Sequence, residues 1–173
     1  YINNKEEALH KCADIICSPM DINYDKKELQ KKLAEMLIKE IQINDMETGL
    51  VELHSEFVSA FEKVQEISEF DIDFSDDFEL LRLIKEYDIH LKEPEGCFAE
   101  KLLEYIGTVR NLLNKEVFVL INCSAYLNDE DCLHISRWAV YQEVYILFIN
   151  SYQKKLNIEV NEYIIDTDLC LLH

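Results

Sequence analysis

Glycine and proline are scarce in this chain, three and two residues in 173. So little of either leaves almost no room for long turns or flexible linkers. No apolar run reaches the length a membrane-crossing helix needs. The opening residues lack a basic start followed by an apolar stretch, so they do not read as a signal peptide. Phosphate cradles are missing too: neither GxxxxGK[ST] nor GxGxxG occurs. The six cysteines (Cys12, Cys17, Cys97, Cys123, Cys132, Cys170) form no CxxC pair, and several sit in apolar runs where cysteine behaves as a small hydrophobe. Without an export signal, a reducing cytoplasm is the simpler setting. The five histidines (His10, His54, His90, His134, His173) are scattered with no HExxH and no zinc spacing. Cys132 and His134 are too close in sequence to make a nucleophile–base pair without a third group.

Basic charge is the other shortage. Seventeen Lys and Arg stand against 35 Asp and Glu, a formal net charge of −18. Taken alone this argues against nucleic acid, because affinity for a phosphate backbone comes mostly from Lys and Arg displacing counterions. The plainest reading is an acidic surface that aids solubility. The charge is uneven, however: Glu66 to Glu79 holds many carboxylates and no base, while Lys101, Arg110, Lys115, Arg137, Lys154 and Lys155 lie in the last part.

What remains is a composition of 49% apolar and 30% charged residues, which fits a globular domain with a sizeable core. The chain opens on Tyr1 in mid-pattern, which suggests a fragment whose natural start is missing. Val117 to Asn150 carries the clearest organisation: an apolar strand, a polar turn, an amphipathic helix and a second apolar strand. That order predicts a βαβ unit with two parallel, buried strands, Val117–Ile121 and Val144–Ile149. Ligands of open α/β sheets tend to sit beyond the C-terminal strand ends, here near Asn122–Ser124 and Asn150–Ser151.

Upstream, the pattern is helical. Residues 8–18 look like a helix end or strand leading into Pro19. Asp25 with Glu28 suggests a capping box for a helix whose stripe is Leu29, Leu33, Met36, Leu37 and Ile41. A second helix spans about 45–66, with Leu50, Leu53, Phe57, Phe61 and Val64 on one face. Two such helices pack most easily as an antiparallel hairpin projecting from an α/β core. Glu69–Phe74 alternates like a strand, and Ser75 then reads as the cap of a helix to about Tyr87. A longer helix covers about 97–114, with Phe98, Leu102, Tyr105, Ile106, Val109 and Leu113 inward. Asn128 caps the helix of the βαβ unit, and residues 163–172 suggest a final strand pair or a bent strand.

Two constellations could carry chemistry. In EFDIDFSDD, Glu69, Asp71 and Asp73 would share one side of a strand, with Asp76 and Asp77 at a helix start, and hard divalent cations want several carboxylate oxygens at once. A solvated acidic edge explains the same residues. Lys101, Arg110 and Lys115 lie on or just after the long helix, 101 and 115 nearly on one face and 110 displaced from it. Alone they are ordinary solubilising charge. Lys26, Lys27, Lys31 and Lys32 are denser, but Glu28 and Glu35 interleave with them as helix-surface ion pairs do.

The strand VFVLIN, the following CSAYL, the acidic NDED, the strand VYILFIN and the terminal YIIDTDLCLL together resemble the short-form Csn-two family of subtype II-A CRISPR loci. The spacing of EKLLEYIGTVRNLLNK to that strand, and EFDIDFSDD followed by ELLRLIKEY, fit it as well. The resemblance implies a P-loop-NTPase-like α/β head without nucleotide motifs (residues 1–24 and 115–173) and an inserted, mainly helical leg (25–114). It also implies a non-catalytic, ring-shaped homotetramer that accepts linear double-stranded DNA ends during spacer acquisition, stabilised by calcium, alongside the integrase pair and the signature nuclease. Carried over by position, Glu69, Asp71, Asp73, Asp76 and Asp77 would hold calcium, and Lys101, Arg110 and Lys115 would line the DNA channel. Arg82 stands where the family pattern has an acid. A protein-interaction scaffold for the adaptation complex and a metal-dependent phosphodiesterase built on 69–77 are the alternative readings.

Overall fold

The computed structural model of the chain describes residues 9–153, 161–165, 168 and 171–172. Cys170, His173, Lys154 and Lys155 lie outside them, as does most of the block between Ile165 and Leu171. In chain order the helices are α1 (Leu9–Cys12), α2 (Lys27–Ile43), α3 (Glu47–Ile67), α4 (Leu80–Glu86), α5 (Phe98–Leu113) and α6 (Asp129–Tyr141). The strands are β1 (Ala13–Ile16), β2 (Val117–Ile121), β3 (Tyr145–Ile149), β4 (Ile164–Ile165) and β5 (Leu171–Leu172). Two compact units result: Tyr1–Lys26 with Lys92–His173, and Lys27–Leu91. The second unit is shorter than the 25–114 stretch expected to be mainly helical, because α5 falls with the sheet strands in the first.

In the sheet unit three strands run parallel in the order β1-β2-β3, with Ala13 beside Val117 and Val117 beside Tyr145. β2 earns the centre by composition: Val, Phe, Val, Leu and Ile in succession can only be a strand apolar on both faces. Alternation puts Ile16, Phe118 and Leu120 on one face, and all three are fully buried. α5 contributes Ala99, Leu102, Leu103, Tyr105, Ile106 and Val109 to the buried core, and α6 contributes Cys132, Ile135 and Ala139. α6 lies against α5 and β3. Gly107 leaves α5 bare where Trp138 of α6 passes, and a Cβ there would sit 3.6 Å from the indole. α5 ends at Asn114 and β2 at Asn122, both in the left-handed region at φ 54° and 55°, a conformation asparagine tolerates better than most residues. α6 starts at Asn128 in a reciprocal capping box with Asp131.

One strand differs from expectation. Among the described residues β3, predicted to be buried, is an edge strand whose Tyr145, Leu147 and Ile149 are exposed while Ile146 and Phe148 are half-buried. Its composition is that of an interior strand, but among the described residues only β2 pairs with it. β4 and β5 form a short antiparallel pair.

The second unit departs further. α2 begins at Lys27, not Asp25, which sits in the preceding turn with its backbone N–H donating to Asn23 Oδ1 at 2.6 Å. α2 ends in a left-handed Asp45 (φ 55°), with Met46 N–H donating to Ile41 O at 3.0 Å and Asp45 N–H to Gln42 O at 3.3 Å, the pattern that terminates a helix and turns the chain. α2 packs against α4, burying Leu29, Leu33 and Ala34 on one and Leu80 and Ile84 on the other. α3 buries no residue at all, so the hairpin core expected between α2 and α3 is absent. Glu69–Phe74 is not a strand, since among the described residues no strand pairs with it; 71–79 is an extended segment that runs back along α3. Phe74 meets Phe61 at 5.8 Å between ring centres, Phe78 meets His54 at 5.2 Å, and His54 Nε2 is 2.9 Å from Asp76 O. Ser75 closes a small turn with Asp77 instead of capping a helix, since α4 starts only at Leu80.

The fully buried Phe118 on the central strand sets a test. Phe118→Ala should cost about 3–5 kcal/mol, read as a lower urea midpoint with an unchanged slope. A cost below roughly 1 kcal/mol would mean that this face of β2 is not the core of the unit.

Candidate functional site

Asp14 is the one charged residue in the strand ADII, and its position beside β2 demands a partner. It has three. Tyr105 of α5 donates its hydroxyl to Asp14 Oδ2 at 2.8 Å. Lys115 Nζ lies 3.6 Å from Oδ1, and Lys26 Nζ lies 3.6 Å from Oδ2. Lys26 also hydrogen-bonds the Tyr105 hydroxyl and rides 4.9 Å above the ring centre. Tyr24 stacks on Tyr105 at 5.8 Å, and its hydroxyl is 3.3 Å from Thr108 Oγ1. Lys115 is only 6% exposed and sits just ahead of β2, where α5 has already ended. A buried ammonium persists there because a carboxylate faces it.

The cluster perturbs its tyrosines. Tyr105 is pushed well above the ordinary phenol value of 10.0, first by burial and then by the Asp14 carboxylate it donates to. Burial also raises Tyr24. The neutral phenol is therefore the form that the fold favours.

The three basic residues expected to act together are not brought together. Lys101 and Arg110 are both half-buried on α5. Nine residues separate them, which is about 180° around a helix, so they flank the buried stripe on opposite sides. Neither makes an ion pair among the described residues. Lys115 turns inward to Asp14 and does not present its ammonium to solvent. The Lys26–Lys32 patch divides likewise: Lys31 and Lys32 pair with Glu35 at 3.9 and 2.6 Å, while Lys26 belongs to the Asp14 cluster. The Glu35 carboxyl is lowered, first by its hydrogen bond from Lys32.

The acidic residues stay apart as well. Glu69, Asp71, Asp73, Asp76 and Asp77 are all exposed, while Ile72, Phe74 and Phe78 of the same segment are half-buried. Arg82 pairs locally with Glu79 at 3.1 Å. Among the described residues no group of three or more His, Cys, Asp or Glu is placed to hold a metal ion. Among the described residues the five acids thus have no shared cation shell.

The C-terminal strand ends are polar and self-satisfied. Asn122 N–H donates to Ile149 O at 2.7 Å, and Ser151 N–H to Asn122 Oδ1 at 2.9 Å. Ser124 donates to Asn150 Oδ1 at 2.7 Å, with the Tyr152 hydroxyl 3.3 Å away. The Cys123 thiol donates to Ile16 O at 3.3 Å, and burial pushes its pKa up. These groups stitch β1, β2 and β3 together and leave no activated nucleophile among them. His54, His90 and Cys97 are engaged locally, Cys97 as the residue before α5 whose N–H donates to Glu100 at 2.8 Å.

Reading by motif missed the Asp14 cluster. Its signal was present in one place: an aspartate inside the apolar run of a predicted sheet element, which is costly unless a cation faces it.

The family comparison is specific. Residues 2–169 match the family model described as CRISPR-associated protein (Cas_Csn2). No curated protein matches the chain. Among the described residues no helix is long and apolar enough to cross a membrane.

Two measurements follow from the cluster. Asp14→Asn leaves two lysines facing one neutral amide and should destabilise by about 3–5 kcal/mol; if urea unfolding shows less than roughly 1 kcal/mol, the lysines do not depend on Asp14. Because the folded Tyr105 pKa is raised, its contribution is complete below about pH 10 and lost as the pH climbs beyond it. Stability should thus fall between pH 9.5 and 11, roughly, and Tyr105→Phe should flatten that fall; an identical slope in the variant would assign the alkaline loss elsewhere.

Proposed function

The chain belongs to the CRISPR-associated Csn2 family, and on that footing we propose that it binds the ends of linear double-stranded DNA without reading sequence, as a ring-shaped homotetramer acting in spacer acquisition. The role is non-catalytic and cytoplasmic, exercised beside the integrase pair and the signature nuclease. In this reading the sheet unit is a P-loop-NTPase-like head and Lys27–Leu91 is the leg inserted in its β1–β2 crossover.

The observation that carries the proposal is the pair Lys101 and Arg110. In a chain of net charge −18 they are basic side chains on the long α5 with no ion partner among the described residues. Cations unspent on intramolecular pairing are what a phosphate backbone can use. They lie on opposite flanks of one helix, so a single chain offers weak purchase, and a symmetric ring multiplies each of them around a duplex. Lys115 acts one step back: held by Asp14, it fixes the junction between α5 and β2 from which the basic helix is presented.

Calcium enters only at the level of the assembly. Glu69, Asp71, Asp73, Asp76 and Asp77 have no shared shell among the described residues, and in this reading a calcium ion held by them takes further oxygen ligands from a second chain, where it offsets carboxylate repulsion.

Binding to linear and covalently closed circular duplex at low and high salt tests the reading. Linear DNA should be preferred, and affinity should fall by roughly 10³-fold between 50 and 200 mM salt. Lys101→Glu with Arg110→Glu should weaken binding at least about tenfold while leaving the thermal midpoint in place. Equal affinity for both topologies would remove the threaded ring, and normal binding by the doubly reversed chain would remove these contacts.

A further inference from the structure

Two thiols lie together where β1 and β2 end. Cys17 is the residue after β1 and is exposed; Cys123 opens the short 3-10 turn after β2 and is fully buried. The parallel register sets Ile16 beside Leu120, so Cys17 follows on opposite Ile121. Asn122, in the left-handed region, then turns the chain back. That turn folds the Cys123 thiol over the strand ends, 3.3 Å from Ile16 O and 3.5 Å from Ile121 O.

Ile16 O belongs to the peptide that joins Ile16 to Cys17. A carbonyl oxygen lies about 2.8 Å from the next Cα across a trans peptide, which puts the Cys123 sulfur within about 6 Å of the Cys17 Cα. A cysteine sulfur reaches about 2.8 Å from its own Cα, and a disulfide bond spans about 2.05 Å. Turning the exposed Cys17 side chain toward its neighbour therefore leaves at most about 1 Å for the strand ends to take up. The backbone at that point is held in place, since the N–H groups of Cys17 and Ser18 both donate to Asp21 Oδ2, at 2.7 and 3.0 Å. Cys17 and Asp21 are also near enough to add to burial in raising the Cys123 thiol.

We propose that Cys17 and Cys123 form a reversible oxidation site, a dithiol that hydrogen peroxide converts to a disulfide tying β1 to β2. The accessible Cys17 thiolate attacks one peroxide oxygen: an S–O bond forms, the O–O bond breaks, and the hydroxide released takes up the Cys17 proton as water. The Cys123 sulfur then attacks the sulfenic sulfur of Cys17. The S–S bond forms as the S–O bond breaks, and the departing hydroxide leaves with the Cys123 proton as a second water. Two thiols lose two electrons in all, and one peroxide becomes two waters. A thiol reductant reverses the bridge, so in a reducing compartment the dithiol is the resting form. The loop so closed contains the whole of Lys27–Leu91, and long loops are where a disulfide constrains the unfolded chain most. The site is independent of the DNA-binding reading.

Peroxide treatment of the full chain, then blocking of free thiols and peptide mass mapping without reduction, tests it. The expected product is an intramolecular peptide pair joining Cys17 to Cys123, lost on adding dithiothreitol. The oxidised protein should melt about 5–10 °C above the same protein reduced. Cys17 is exposed, so Cys17→Ser leaves the core intact and should remove both the linked pair and the shift. Cys97→Ser should keep both. Cys17 linked to another cysteine or to a second chain, or driven to the sulfinic acid while Cys123 stays free, would overturn the proposal. So would a melting shift that survives Cys17→Ser, or a linked protein that melts no higher than the reduced one, the bridge then forming only where the strand ends have opened.

Discussion

One carboxylate organises the sheet unit. Asp14 sits on the face of β1 that also carries Ile16, and it holds a tyrosine from α5, a lysine from the mouth of β2 and a lysine from the turn ahead of α2. Each partner comes from a different stretch of chain, so the charge cannot be satisfied until all of them have arrived. Burying ions is costly in itself. What the cluster contributes is therefore less net stability than selection of a single register, in which β1 pairs with β2 at Ala13–Val117 and α5 lies with Tyr105 toward the sheet. Lys26 is also the last residue of its unit, so the same network fixes the point at which the chain departs into Lys27–Leu91.

The two units are built on different principles. The first closes around β2 with large side chains fully out of water, among them Phe118, Leu120, Leu102 and Ile106. The second has five buried apolar residues, all on α2 and α4, and presents α3 with its stripe to solvent. A unit of that size with so small a core sits near the lower limit of independent stability. Apolar surface left open on a regular helix is uncommon on the exterior of a monomer. The acidic segment 71–79 gives partial cover, with alternate residues turned to α3 and carboxylates to water, so the same residues that suggested a cation site also keep the exposed unit soluble.

How much of this could be read from the sequence differs by element for physical reasons. β2, α6 and the Asn128 cap were legible because composition, periodicity and cap all pointed one way. β3 was legible as a strand but not as an edge: Tyr-Ile-Leu-Phe-Ile looks the same whether or not a neighbour pairs with it. α3 was legible as an amphipathic helix, yet an apolar stripe does not say whether its cover lies in the same chain. The alternation of EFDIDF suggested a strand; what alternates is contact with a helix, which imposes the same period of two on an extended chain. The Asp14 cluster needed Asp14, Lys26, Tyr105 and Lys115 placed together, and residues that far apart in sequence share no local pattern. Helical wheel geometry separated Lys101 from Arg110 at once, whereas the inward turn of Lys115 depended on Asp14 and could not be seen without it.

The contact between Gly107 and Trp138 has an optical consequence. Trp138 is the chain's one tryptophan, and its indole rests on the bare backbone of α5, inside the sheet unit. Intrinsic fluorescence excited at the indole band therefore watches the α5–α6 interface alone. Lys27–Leu91 holds Phe57, Phe61, Phe70, Phe74, Phe78 and Tyr87 but no indole, so it is nearly dark to that signal and shows itself chiefly through its helices in far-ultraviolet dichroism. Since α5 and α6 also contribute to dichroism, that signal covers both units while the indole follows one, and any gap between the two melting curves measures how far the Lys27–Leu91 unit can loosen while the sheet unit stays closed.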